Sequence, residues 1–273
     1  MRETAAAIAI AHASIGNEYE WVDARGAAEF ASNRMGTEVM ALVLHALVRF
    51  ERPDTVVEIG AGFTTLAILR ALAVNHAGHA SECRRAFDPD PDPIFDARYF
   101  KAKRRDRRPP RLHVVDNFSA ESPDRQRLDA AIEQAGYGAH ITVHAMDLQD
   151  FASNHKSILG KRGSIDLLWF DAKTEEYGTA DMLRDYWNSI SPTGAIVVHY
   201  TTGVLPGNNR FHTLTRDRVR DILEEEVEVM TFVEPHKTEQ CSFTIIRRPI
   251  ETRHGGSVLT GRDTLTGLPT TNG

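Results

Sequence analysis

The sequence predicts an α/β protein built on a doubly wound, mostly parallel sheet of seven strands, with an antiparallel last strand. Three observations predict it. Short β-branched runs alternate with amphipathic helical stretches between residues 51 and 250. The first run, T-V-V-E-I at 55–59, passes through Gly60-Ala61-Gly62 straight into an apolar helix that starts at Phe63. The two final runs, 227–233 and 240–247, are joined by a short Pro-His-Lys-Thr connection, as an antiparallel hairpin would be.

Taken in order, residues 1–25 are expected to form a helix and a loop carrying Tyr19 and Trp21. Residues 27–50 show helical periodicity, with Phe30, Val39, Val43, Leu44 and Leu47 among the apolar positions. Pro53-Asp54 opens the strand 55–59, and 63–74 form the next helix. Residues 76–110 are an insertion holding D-P-D-P-D-P at 88–93 and the basic K-A-K-R-R-D-R-R-P-P-R at 101–111. Prolines and charge blocks predict a loop there, with a short helix around 94–104 and a candidate role as a lid. Strands are then expected at 111–115, 140–145, 165–170 and 195–199, and helices at 122–135, 149–159, 175–190 and 214–225. This organises the chain as a helical cover (1–50), a sheet domain (51–250) and a Gly/Thr-rich, disordered tail (251–273).

Bulk properties narrow the function. A hydrophobic content of 41% across 273 residues can bury a core without disulfides or metals. Two distant cysteines, Cys83 and Cys241, fit a reducing, cytoplasmic setting. A net charge of −6 argues against general nucleic-acid affinity. No stretch approaches the ~18 apolar residues of a membrane span. The alanine-rich run 5–13 reads as a helix rather than a secretion signal. His140 and His144 on one strand would stand about 13 Å apart, too far to share a metal unaided.

The turn after the first strand carries the chemistry. A strand–glycine loop–helix junction is expected to leave backbone N–H groups for a ligand. The third glycine of a dinucleotide fingerprint is replaced by Thr65. Glu58 sets a carboxylate beside the loop, which would repel a pyrophosphate and suit a cationic, amine-bearing ligand. Acids recur near successive strand ends: Glu58, Asp116, Asp147 and Asp171. In an open α/β sheet, ligands bind outside those ends. Asp116 could accept two ribose hydroxyls, each such bond contributing about 1.5–3 kcal/mol. Asp147 could accept an adenine amine with Leu148 against the ring, and Asp171 stands where the ligand's reacting end would point.

V-V-E-I-G-A-G-F-T-T, V-V-D, A-M-D-L, I-D-L-L-W-F-D-A and S-P-T-G-A-I-V-V-H resemble, in order, the motifs of class I S-adenosylmethionine-dependent methyltransferases with a Rossmann-like sheet. The resemblance spans roughly residues 30–247 and is nearest in character to small-molecule O-methyltransferases. It implies S-adenosylmethionine as cofactor. Glu58, Gly60, Ala61, Gly62 and Thr64 would then stand at its methionine and ribose portion. Asp116 and Asn117 would hold the ribose, Asp147 and Leu148 the adenine, and Asp171 the reacting end.

Metal-dependent relatives that resemble catechol O-methyltransferase use an Asp after the fourth strand and an Asp-Asn pair after the fifth. Here the fifth ends in His199-Tyr200, which removes two oxygen ligands for magnesium. Metal-independent transfer is therefore expected, with no metal ligands assigned. His199 is the candidate general base, since imidazole exchanges a proton near neutral pH. Tyr200 would orient the acceptor, and Asp171 would position it or cap the next helix. His212 and Asn208-Asn209 are secondary candidates, and Tyr19, Trp21 and Phe30 could line the acceptor pocket.

The expected acceptor is a small molecule, of specialised metabolism, with oxygen favoured over nitrogen and nitrogen over carbon. A homodimer is the candidate assembly. Three alternatives stay open. One is an NAD(P)-dependent oxidoreductase, disfavoured by the missing glycine and by the lack of a Tyr-x-x-x-Lys pair. Another is a nucleic-acid methyltransferase, supported only by the basic run. The third is a sheet that binds the cofactor without this chemistry.

Overall fold

The computed structural model describes residues 37–88, 109–119, 121–160, 163–172, 178–199, 201, 214–234 and 242–249. Tyr19, Trp21, Phe30, the D-P-D-P-D-P run beyond Asp88, most of the basic run, Tyr200, Asn208, Asn209, His212 and the tail lie outside these residues.

In chain order the described elements are α1 (Thr37–Glu51), β1 (Thr55–Ile59), α2 (Phe63–Ala86), β2 (Arg111–Asp116), α3 (Pro123–Ala135), β3 (Ile141–Ala145) and α4 (Leu148–Leu159). They continue with β4 (Ile165–Phe170), α5 (Thr179–Trp187), β5 (Ile190–His199), α6 (Arg216–Leu223), β6 (Glu228–Val233) and β7 (Ser242–Arg247). One seven-stranded sheet results, in the order β3-β2-β1-β4-β5-β7-β6. Strands β1 to β5 pair in parallel, and β7 is antiparallel to both β5 and β6. This is the doubly wound sheet the alternation predicted. Its order reverses beside β1, between β1 and β4, which opens a crevice outside their carboxyl ends.

Side chains alternate across each strand, and helices cover both faces, so the central strands are apolar throughout. Val57, Ile59, Leu168, Phe170, Ile196 and Val198 pack with Phe151 of α4 and Met182 and Tyr186 of α5. Val56, Leu112, Val114, Leu167, Trp169 and Val197 face Leu44 of α1, Leu69 of α2 and Leu128 of α3. Local signals fix several helix starts. The Ser122 hydroxyl accepts from Arg125 N–H with Pro123 in the first turn, and Thr215 accepts from Arg218 N–H.

Besides α5, which spans Thr179–Trp187 within the helix expected at 175–190, two boundaries differ from expectation. Helix α2 continues twelve residues past Val74 to Ala86, so 76–86 are helical rather than loop. Its second half is weakly apolar and is held by α1 and the residue after it: Asn75 donates to the Val48 carbonyl at 2.8 Å, and Arg52 pairs with Glu82. Strand β5 begins at Ile190 rather than at Ala195 and includes the S-P-T-G segment, with a register shift against β4 between Ile165 and Leu167. A Cβ on Gly194 would fall 2.8 Å from the Asp166 carbonyl oxygen, so glycine is required at that irregularity. Among the described residues, no helix is long and apolar enough to cross a membrane.

Candidate active site

Backbone bonds align the strand ends that border the crevice. Gly60 N–H donates to the Val115 carbonyl and Asp171 N–H to the Ile59 carbonyl, both at 2.9 Å. Gly60 has φ +94°, and a Cβ there would lie 2.5 Å from the Asp171 carbonyl oxygen. The glycine loop and the end of β4 are thus in direct contact. At Gly62 a Cβ would meet no protein atom within 4 Å, so that position faces open space.

The loop's N–H groups are not left for a ligand, contrary to expectation. Ala61 N–H donates to Asp116 Oδ2 at 2.9 Å, and Gly62 N–H to the Thr65 hydroxyl at 3.0 Å. Thr65, which stands in place of the third fingerprint glycine, therefore closes the helix start. With Gly60 N–H also engaged, the loop lacks the bare N–H cradle that anion binding at a helix start uses.

Asp116 ties two loops together, since its Oδ1 accepts from Phe118 N–H at 3.0 Å while Oδ2 takes Ala61. Each carboxylate oxygen retains a further lone pair for a ligand hydroxyl. Asn117 is exposed next to it. Asp147 is exposed and caps α4, its Oδ1 accepting from Gln149 N–H at 2.7 Å. Leu148 opens that helix and is half-buried against the core.

Glu58 has no exposed surface. Its Oε1 accepts from the Thr64 hydroxyl at 2.6 Å, which is where the structure places the Thr64 side chain, and Oε2 has no hydrogen-bond partner. Burial, reinforced by the nearby charges of Asp171 and Asp116, pushes its pKa up to about 8, against the opposing effect of the Thr64 and Thr65 hydroxyls.

Asp171 and His199 are brought together. His199 Nδ1 lies 2.7 Å from Asp171 Oδ1, with the imidazole side chain 2% exposed. Because a carboxylate only accepts, Nδ1 carries the proton and the basic site is Nε2. The Trp169 ring stands against the imidazole, with centroids 5.5 Å apart. The described helix after β4 starts at Thr179 with Gly178 as its N-cap, so Asp171 bonds His199 rather than capping that helix. Sequence reasoning missed the roles of Thr65 and Trp169. The strand register could have suggested the Asp171–His199 pair, because both residues follow from neighbouring strand ends.

These features gather at the reversal point of a doubly wound sheet, where such folds bind their ligands. A methyltransferase-domain family matches residues 57–201, more than half of the chain, so the protein belongs to that family and, with its fold, to the class I S-adenosylmethionine-dependent methyltransferases. No curated protein matches it in sequence. Among solved structures, it is similar to the O-methyltransferase TomG from Streptomyces achromogenes, involved in tomaymycin synthesis and crystallised with S-adenosylmethionine. That match has 15% identity and a TM-score of 0.54, covering 82% of this chain and 86% of the other. The O-methyltransferase from Bacillus cereus, in complex with S-adenosylhomocysteine, matches at 12% identity and TM-score 0.53, covering 85% and 91%. Cofactor-bound Rv0187 from MTB matches at 14% identity and TM-score 0.52, with the same coverage of 85% and 91%. At these identities the likeness is one of fold, and family membership decides for methyl transfer over hydride transfer.

Proposed function

We propose that this protein transfers a methyl group from S-adenosylmethionine to a small-molecule hydroxyl without a metal, using His199 as general base. The observation that carries this reading is the contact of the glycine loop with the end of β4, which sets the Asp171–His199 pair beside the crevice.

The crevice fits a cationic nucleoside. Glu58 leaves a buried acceptor oxygen unpartnered, and Gly62 leaves room where a side chain would intrude. Glu58, Gly60, Ala61, Gly62 and Thr64 would serve the methionine end, Asp116 and Asn117 the ribose, and Asp147 and Leu148 the adenine. Bound there, S-adenosylmethionine supplies an electrophilic methyl group on a sulfonium.

The protein's own residues supply alignment and one proton acceptor. Alignment of reacting groups contributes about 7–11 kcal/mol in well-oriented systems. Asp171 holds Nδ1–H, which fixes the tautomer and stabilises the imidazolium formed when Nε2 takes the acceptor's proton. Burial of the imidazole keeps water from its side of that contact, while the Asp171 carboxylate stays partly exposed. Tyr200 follows His199 in sequence and would orient the acceptor. An acidic carboxylate already bonded to an imidazole, with His-Tyr in place of two oxygen ligands, supports acid–base rather than magnesium chemistry.

A nitrogen or carbon acceptor would use the same crevice, and a cytoplasmic homodimer remains the assembly this reading carries. Calorimetric titration with S-adenosylhomocysteine and with NADH tests the cofactor: the first should bind and the second should not. Methyl transfer to a hydroxyl panel, with and without EDTA, tests acceptor class and metal independence.

A further inference from the structure

Glu58 is an unusual side chain to bury. It sits on the central strand β1, between β2, which ends in Asp116, and β4, which Asp171 follows. Among the described residues no Lys or Arg bonds either of its oxygens. Its one bonded oxygen takes a neutral hydroxyl, and the other takes nothing. The groups around it are Asp116 from β2, Asp171 from β4 with His199 of β5 bonded to it, and Thr64 and Thr65 from α2. From α1, His45 faces α2 and bonds the Ala67 carbonyl, while Arg70 stands further along α2. A carboxyl group so placed is costly to ionise until a positive charge arrives.

We propose that Glu58 is a specificity-determining residue that favours the sulfonium cofactor over its neutral thioether product, by releasing a proton when the cation enters. This rests on the S-adenosylmethionine reading above. In the free protein, Glu58 holds its proton on a carboxyl oxygen. Entry of the sulfonium and ammonium charges makes the carboxylate the favoured form, and the proton passes to solvent. No other bond changes. After methyl transfer the sulfur is uncharged, part of the attraction is gone, and the proton can return as the product leaves. Burial holding the free carboxyl near pKa 8 sets the range in which this operates, around neutral pH.

By linkage, affinity for S-adenosylmethionine should then rise with pH up to about 8, approaching tenfold per unit, with a shallower rise for S-adenosylhomocysteine. The test is calorimetric titration of the full chain with each ligand at pH 6, 7 and 8, in buffers of different ionisation enthalpy. The expected result is release of close to one proton per S-adenosylmethionine at pH 7, and less for the thioether. The ligand's own amino group titrates alike against any variant, so E58Q isolates the side chain. E58Q should lose this release and flatten the pH dependence of the cofactor-to-product affinity ratio. Thr64→Val removes one of the two hydroxyls that favour the ionised form, so it should move the pH range upward. Binding with no proton release, or with the same release in E58Q, overturns this inference alone. Failure of both ligands to bind removes the proposed function, and this inference with it.

Discussion

His199 donates its Nδ1–H to Asp171 across the ends of neighbouring strands β5 and β4, at 2.7 Å, from an imidazole nearly out of contact with water to a partly exposed carboxylate. The bond leaves Nε2 as the basic nitrogen and gives the imidazolium a fixed counter-charge. His199→Ala should lower kcat by roughly 10²–10⁴-fold. Asp171→Asn should cost a similar factor, because an amide also accommodates the wrong tautomer. Affinity for S-adenosylhomocysteine should change far less in His199→Ala. Turnover and calorimetry on the same preparations check this, and unchanged turnover would retire His199 as the base.

Gly60 and Gly62 should separate folding from binding. Gly60→Ala forces a side chain into a left-handed backbone and against the Asp171 carbonyl, so it should destabilise the protein by about 3 kcal/mol. Gly62→Ala meets no protein atom, so it should unfold at nearly the wild-type urea concentration yet bind S-adenosylhomocysteine less tightly. Urea unfolding paired with titration distinguishes the two.

Glu58 should make stability fall as pH rises. Its folded pKa near 8 stands above the ordinary 4.5, so between these values the native state keeps a proton that the unfolded chain has lost. The stability it contributes is complete below pH 4.5 and is lost as pH passes through 8. The full penalty is on the order of 5 kcal/mol. The advantage of E58Q over wild type should therefore grow from pH 5.5 to pH 8.5. Urea unfolding at several pH values reads it, and a constant difference would contradict the assignment.

Asp147 has a structural duty that can be separated from recognition. Asp147→Ala removes the α4 cap and should cost about 1 kcal/mol. Asp147→Ser preserves a cap oxygen, so its stability should stay near wild type while cofactor affinity drops if the carboxylate accepts the adenine amine. Equal affinity in Asp147→Ser would limit Asp147 to capping.

Much of this was legible in the chain. The alternation of β-branched runs with helical stretches identified all seven strands, because a doubly covered parallel sheet demands unbroken apolar segments such as Leu167 to Phe170. The reach of α2 was not legible, since its distal turns depend on Val48 of α1 and on Arg52 just beyond that helix. The sequence places the start of the fifth strand at Ala195, after the turn-forming Pro and Gly of S-P-T-G, yet Gly194 is there to clear the Asp166 carbonyl within a strand. The expectation of open N–H groups in the glycine loop failed for a similar reason. Ala61's partner, Asp116, lies 55 residues away, and no local pattern announces such a bond. The acids were visible as a series, but the pairing of Asp171 with His199 required the strand register.

The most direct test is a crystal structure with S-adenosylhomocysteine bound. The account predicts the ribose on Asp116, the amino-acid end beside the loop at 60–62, and the sulfur facing the crevice side of Asp171 and His199. A ligand seated elsewhere, or one whose sulfur points away from His199, would contradict it.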